Sequence, residues 1–225
     1  MARLFDKAEK LRSRPKTDLI SATIATYNQT ANFYEADTAG HLRNTKPLAD
    51  FFIKNLSSNK VLEIGCGPGY HARYFSQHGL LVTATDFSEK FVAMTRSRAP
   101  KAKVLKMDMR KLKFPASHFD GIWAMASFLH IPKNQGKKTL LGFNRVLKSG
   151  GLLLISVKLG TGERVISKQY YGGGVRNHRG IKFFAFYKQE EFKRLLESCG
   201  FTIIKSLFDE NKYGEPFINV FCRKE

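Results

Sequence analysis

Three glycines at alternate positions follow a short apolar run in Val61-Leu62-Glu63-Ile64-Gly65-Cys66-Gly67-Pro68-Gly69, and Glu63 places a carboxylate near the end of that run. A second apolar run, Leu80-Leu81-Val82-Thr83-Ala84-Thr85-Asp86, also closes on a carboxylate. Glycine lets a backbone turn sharply and lets a ligand approach without meeting a Cβ. An acid at the end of the next strand suits hydrogen bonds to a ribose diol. Together the two runs describe a nucleoside-binding βαβ unit. A dinucleotide site wants G-x-G-x-x-G and lays a pyrophosphate on a helix N-terminus, but here the third glycine comes one residue early and Tyr70 stands where the last belongs. Glu63 would repel a pyrophosphate, yet it suits a ligand with a cationic amino-acid end.

S-adenosylmethionine is such a ligand, with an adenosine, an ammonium and a sulfonium but no phosphate. On these motifs the chain resembles the class I S-adenosylmethionine-dependent methyltransferases, with the likeness running through roughly residues 60–158. The resemblance implies roles position by position. The Gly65, Gly67 and Gly69 loop would pass under the methionine and ribose, Glu63 would act near the ammonium, and Asp86 would hold both ribose hydroxyls. Phe87 would cover the adenine, and Asp108 and Met109 would meet its amino group and edge. Each residue also has a plainer reading, Asp86 as a helix N-cap and Met109 as ordinary core. The ordered recurrence of Glu63, three glycines, Asp86 and Asp108 across three successive strand ends favours the functional one.

Methyl transfer from a sulfonium is an in-line displacement with a good leaving group, so positioning and water exclusion supply most of the rate. Few catalytic side chains are needed. The fourth strand, Phe119-Asp120-Gly121-Ile122-Trp123-Ala124, leads into Met125-Ala126-Ser127-Phe128-Leu129-His130, where relatives that methylate small molecules often carry a histidine. His130 is the candidate general base or acceptor-orienting group, since imidazole titrates near neutrality; a histidine bonded to backbone fits the same position. The Asn/Asp-Pro-Pro-aromatic tetrad of amino-methylating enzymes is absent after this strand, and no proline precedes a cysteine as cytosine C5 chemistry requires.

Alternating strand and helix patterns place these residues on a parallel sheet with helices on both faces. Strands are expected near 60–65, 80–85, 102–107, 119–124 and 151–158, with helices near 70–78, 88–98 and 134–148 between them. Ser88 reads as an N-cap with Glu89 in the first turn. Gly150-Gly151 reads as the stop of the helix ending at Leu147-Lys148. A helix over 189–199 and strands over 201–208 and 216–222 complete the chain. The resemblance implies a Rossmann-like, doubly wound, mostly parallel seven-stranded sheet with a C-terminal antiparallel hairpin. One domain with an extension follows: residues 1–56 as a helical extension or lid, and 57–225 as the cofactor-binding domain with an acceptor-side insert at about 160–187.

Within the extension, residues 1–16 pattern as a basic amphipathic helix ended by Pro15, Leu19 to Tyr34 as a second helix, and Pro47 through Leu56 as a third. Tyr27 and Tyr34 match the Y-x-x-x-A-x-x-Y lid element of the family and read equally as helix core. In the insert, Tyr170, Tyr171, His178, Phe183, Phe184, Phe186 and Tyr187 stand beside Arg164, Arg176, Arg179 and Lys182. Aromatics with cations would receive an aromatic or anionic small molecule, and His178 and Tyr187 join Tyr27 and Tyr34 as candidate acceptor contacts.

The chain has 225 residues and 43% hydrophobic content, enough for one well-buried α/β domain plus an extension. Its apolar stretches are strand-length, far below the ~20 residues that cross a bilayer. Cys66, Cys199 and Cys222 are widely spaced and suggest neither a disulfide framework nor a metal site, and the first residues lack a signal-peptide core. A cytoplasmic protein is the expectation. The balance of 38 Lys+Arg against 19 Asp+Glu gives a net charge of +19, a field that favours polyanions. Arg96, Arg98, Lys101, Lys103, Lys106, Arg110, Lys111 and Lys113 form one cluster, and Lys133, Lys137, Lys138, Arg145 and Lys148 another. Methyl transfer to a small molecule leads the functional readings, with an RNA (tRNA) methyltransferase using the basic surface and a catalytically silent cofactor-binding regulator as alternatives.

Overall fold

The computed structural model describes residues 16–167, 169–171, 174–176 and 180–225; the expected helix before Pro15 and His178 lie outside them. Helices α1 (Lys16–Asp37) and α2 (His41–Lys54) lead into β1 (Lys60–Ile64), α3 (Tyr70–Gln77), β2 (Leu81–Asp86), α4 (Glu89–Arg98) and β3 (Lys103–Lys106). A short turn of helix, Met109–Lys111, precedes β4 (Phe119–Ala124), and another, Phe128–His130, precedes α5 (Lys133–Val146) and β5 (Leu147–Leu159). Strands β6 (Glu163–Ile166), β7 (Gln169–Tyr171), β8 (Gly174–Arg176) and β9 (Lys182–Tyr187) follow, then α6 (Gln189–Glu197), β10 (Phe201–Glu210) and β11 (Pro216–Lys224).

The sheet runs β10-β11-β5-β4-β1-β2-β3. Its β1, β2, β3, β4 and β5 are parallel, and the C-terminal hairpin adds β11 antiparallel to β5. This is the doubly wound, mostly parallel seven-stranded sheet with an antiparallel hairpin. Two more strands enlarge it: β9 pairs parallel with the end of β5, and β6 pairs antiparallel with β9. Apolar clusters cover both faces. Leu62, Ile64, Ile122, Leu153 and Ile155 lie on one, Val61, Val82, Trp123, Leu152 and Leu154 on the other, as expected for strands whose two sides both meet helices.

Two boundaries differ from the sequence expectation. Helix α2 begins at His41, so Pro47 lies inside it rather than at its start. Proline there removes one helical donor, while Leu48, Ala49 and Phe52 of the same helix are buried, and that packing holds the helix through the proline. Helix α5 ends at Val146, before the Gly150-Gly151 pair. The glycines instead fall where β5 slips against β4, between the Phe119–Leu147 and Gly121–Leu152 pairings, with Gly150 at φ 70°. They serve a strand irregularity, not a helix stop.

Much of the basic clustering is tied down within the fold. Arg98 pairs with Glu35, Lys106 with Glu89, Arg110 with Asp108, Lys133 with Glu191 and Lys148 with Asp120. Arg145 donates to the carbonyls of Phe114 and Leu112.

Candidate active site: two joined cavities at the strand ends

The alternate glycines are explained by backbone conformation. Gly65, Gly67 and Gly69 take φ values of 71°, 52° and 86°, a left-handed region that side chains resist. The loop is fixed from beneath by Gly65 N–H and Cys66 N–H, which both donate to the Thr85 carbonyl at 2.8 and 3.0 Å. From the side, the Thr95 hydroxyl donates to the Gly67 carbonyl at 2.9 Å. Asp86 then ties the loop to the next helix, its carboxylate accepting from Gly67 N–H at 3.0 Å and Ser88 N–H at 2.8 Å. Burial pushes the Asp86 carboxyl up to about 6 against the opposing pull of those N–H groups. Ser88 caps α4 as expected, accepting from Phe91 N–H at 3.2 Å.

A cavity of about 90 Å³ opens above this loop. Gly65, Gly67, Asp86, Phe87, Asp108 and Met109 all line it, as do Tyr27, Tyr34 and His130. Asp108 also accepts a fork from Arg110, with Nε at 2.9 Å and Nη2 at 2.5 Å from Oδ2. Glu63 and Gly69 are not among the lining residues. Glu63 is buried on the other side of β1, where His71 Nδ1 lies 4.0 Å from its Oε1 and its Oε2 has no partner. Burial, then the nearby Asp86 charge, hold its carboxyl well above the ordinary range. Tyr187 also stands apart. It is 1% exposed, packed on Phe128 and Phe192 in the core, and lines neither cavity.

A second cavity of about 820 Å³ adjoins the first, and Tyr27, Tyr34, Ala126 and His130 line both. Ala126, at φ 47°, makes the turn between β4 and the Phe128–His130 helix; such strained residues cluster at functional sites. Helix α1 roofs the junction. Thr26 donates to the Ile181 carbonyl at 2.8 Å, Phe183 N–H donates to the Thr23 hydroxyl at 2.9 Å, and the Ser88 hydroxyl donates to Asn28 Oδ1 at 2.6 Å. The Tyr27 and Tyr34 rings meet edge-on at 5.5 Å, and both contact Phe91.

His130 is locked by both ring nitrogens. Nδ1 lies 2.7 Å from the Phe183 carbonyl and must donate, so Nε2, 2.9 Å from the Tyr27 oxygen, accepts from that hydroxyl. Burial pulls its pKa down to about 3, and the charges of Lys182 and Lys158 add to this. A neutral imidazole whose lone pair is taken orients Tyr27; it is poorly suited to remove a proton near neutrality. One consequence is measurable. Because the folded pKa lies below the ordinary 6.5, the unfolded state takes up the proton first, and stability falls as pH drops below about 6.5. His130→Gln should therefore lose less stability than wild type between pH 6.5 and about 5, by up to about 1 kcal/mol per pH unit, as read from denaturant midpoints. Equal losses would mean the imidazole is charged in the fold.

Sequence reasoning did not single out Lys158, Ser127 or Thr85. Lys158 sits in the second cavity, paired with Glu215 at 2.5 Å, and reads in sequence as the last residues of a buried strand. Ser127 lines the first cavity with a buried hydroxyl that lacks a partner, which nothing in its local sequence marks. Among the described residues, no group of three or more His, Cys, Asp or Glu is arranged to hold a metal ion, and no helix is long and apolar enough to cross a membrane.

Residues 61–151 match the family described as a methyltransferase domain. They form a class I S-adenosylmethionine-dependent methyltransferase domain. The chain is 31% identical over 173 residues to an S-adenosyl-L-methionine-dependent Diels-Alderase of Talaromyces variabilis, covering 67% of this chain and 55% of that protein. It is 24% identical to a malonyl-[acyl-carrier protein] O-methyltransferase of Buchnera aphidicola, covering 74% of this chain and 70% of that one. The chain thus spans only about half the length of the first of these relatives. Among solved structures, the DhpI–SAH complex superposes with a TM-score of 0.70 at 20% identity over 92% of this chain and 97% of the other. A Burkholderia thailandensis 1,6-didemethyltoxoflavin-N1-methyltransferase gives 0.64 at 20% identity, over 89% and 88%. These superpositions establish the shared fold.

Proposed function

We propose that the protein transfers a methyl group from S-adenosylmethionine to a small-molecule acceptor, the cofactor in the smaller cavity and the acceptor in the larger. The observation that carries this reading is the junction of the two cavities at Tyr27, Tyr34, Ala126 and His130. It gives two ligands a shared wall at the strand ends, where α/β sheets bind them. The residues fit the cofactor: a half-buried carboxylate at the end of β2 suits a ribose diol, and the unpartnered Ser127 hydroxyl wants a polar ligand atom. Bound there, the cofactor supplies an electrophilic methyl on sulfonium.

The chain's own residues do the rest. Asp86 holds the ribose hydroxyls, Phe87 and Met109 enclose the adenine, and Asp108, steadied by Arg110, faces its amino group. Gly65, Gly67 and Gly69 leave the loop surface free of side chains. Residues 1–56 act as a lid whose Tyr27 and Tyr34 shed water from the reacting ends, and His130 fixes the Tyr27 hydroxyl. The buried Tyr187 supports the wall behind the acceptor. The activity resides in the cytoplasm, a reading supported by three buried free cysteines.

The acceptor screen is direct. Protein and methyl-labelled S-adenosylmethionine, incubated with separate metabolite and RNA fractions, should label the metabolites. Label confined to RNA would transfer the reading to the polyanion partner suggested by the net charge of +19. The Diels-Alderase relative favours one further reading, cofactor-dependent catalysis without methyl transfer; binding of the cofactor with no label in any product would select it.

A further inference from the structure

One face of β5 and β11 changes character as it leaves the core. Leu152 and Leu154 of β5 and Phe221 of β11 pack in an apolar cluster. Alternate residues of a strand share a face, so the next positions on that face are Ser156 and Asn219, which stand directly opposite each other across the two strands and line the larger cavity. Ser156 is 1% exposed and Asn219 3%, yet among the described residues neither side chain has a hydrogen-bond partner. Their polar atoms open into the cavity instead. We propose that Ser156 and Asn219 form a hydrogen-bonding floor that positions the methyl acceptor, and that the acceptor presents to them an uncharged amide-type edge, a ring lactam or ureide with an N–H beside a C=O. The proposal deepens the methyltransferase reading and rests on it.

A buried polar group without a partner is costly, and an apolar pair at this place would extend the core without that cost. A carboxamide holds an acceptor oxygen and a donor NH2 in one plane. An N–H beside a C=O is its complement, so Asn219 accepts from the ligand N–H and donates to the ligand carbonyl, while the Ser156 hydroxyl donates to the second lone pair of that carbonyl. A ligand lacking the N–H leaves the Asn219 oxygen buried and unpaired, which makes such a site selective. Charge does not make this choice. Acids and bases line the cavity together, with Lys158 paired to Glu215 and Lys212 to Asp37, so its walls favour no single sign and selection falls to uncharged groups such as the pair on the floor. The pair also sits where an acceptor must be held. Ile155 pairs with Ala124 of β4, which places Ser156 one strand away from the turn at Met125 and Ala126, and Ala126 lines both cavities. Ser156 and Asn219 line the larger cavity only. The methylated atom is therefore another atom of the same molecule, turned toward Ala126.

The test uses 2-quinolone, whose ring N–H stands beside a carbonyl, and N-methyl-2-quinolone, which keeps the carbonyl and loses the donor. Each is titrated by its fluorescence into the full chain saturated with S-adenosylhomocysteine. Wild type should bind 2-quinolone about tenfold more tightly than its N-methyl analogue. Asn219→Leu, which keeps the size of the side chain, and Asn219→Ala, which adds no bulk, should each bring the two affinities to within about twofold. Ser156→Ala should weaken both lactams alike, by about threefold, because both keep the carbonyl. Calorimetry should show S-adenosylhomocysteine affinity unchanged in all three variants, which also reports that they are folded. No preference in wild type, the full preference kept in the Asn219 variants, or neither lactam bound at millimolar concentration with cofactor product in place would each overturn the proposal. Failure of wild type to bind S-adenosylhomocysteine would instead overturn the methyltransferase reading.

Discussion

Asp86→Ala should weaken S-adenosylmethionine binding by about 100-fold, close to 3 kcal/mol, as measured by calorimetry against wild type. Two effects add. The ribose diol loses a charged acceptor, and two backbone donors, Gly67 N–H and Ser88 N–H, lose the carboxylate that now joins loop to helix. Asp86→Asn separates them, since an amide retains one oxygen for the loop while surrendering the charge, and should fall between the two. Because burial already raises the Asp86 carboxyl to about 6, affinity should also weaken as pH falls through about 6, where the acid begins to take up a proton. Affinity within a factor of three of wild type for the alanine variant would remove Asp86 from the cofactor site.

Gly65→Ala should damage the fold more than its single added methyl suggests. An added Cβ would overlap the Ser127 side chain, with Oγ at 3.1 Å, on a backbone at φ 71°. Left-handed strain and overpacking together cost about 3 kcal/mol, a drop of roughly 10 °C in Tm for a chain of this length. Gly67→Ala makes the contrast: its nearest neighbour would be Tyr34 Cε1 at 3.9 Å, so only the φ of 52° is unfavourable, for about 1 kcal/mol. Adding Ser127→Gly to Gly65→Ala should restore the part due to overlap and leave the part due to φ, a non-additivity expected of touching residues. Equal melting temperatures for the Gly65 and Gly67 variants would contradict this division.

The central βαβ units were legible because each is specified locally. Apolar runs of strand length, glycines needing left-handed φ, and a serine cap before Glu89 each specify a short stretch of backbone without help from afar, and β1, β2, β4 and α4 fall within a residue or so of expectation. What the sequence hid depended on distant partners. Pro47 marks a helix start by local rules, yet the burial of Leu48, Ala49 and Phe52 carries α2 across it. Gly150-Gly151 looks like a helix stop until the register of β4 against β5 is known. Tyr187 sits in an aromatic run beside Lys188, which reads as acceptor wall; the parallel pairing of Leu159 with Tyr187 turns it into the core instead. His130 was found by position, but its lost basicity comes from burial, completed by segments as distant in the chain as Phe183, 53 residues away.

Helix α1 is fastened at both flanks: to β9 through Thr23 and Thr26, and to α4 through Asn28 and the Glu35–Arg98 pair. Under the cofactor placement proposed above, breaking those contacts would govern how fast spent donor is exchanged for fresh.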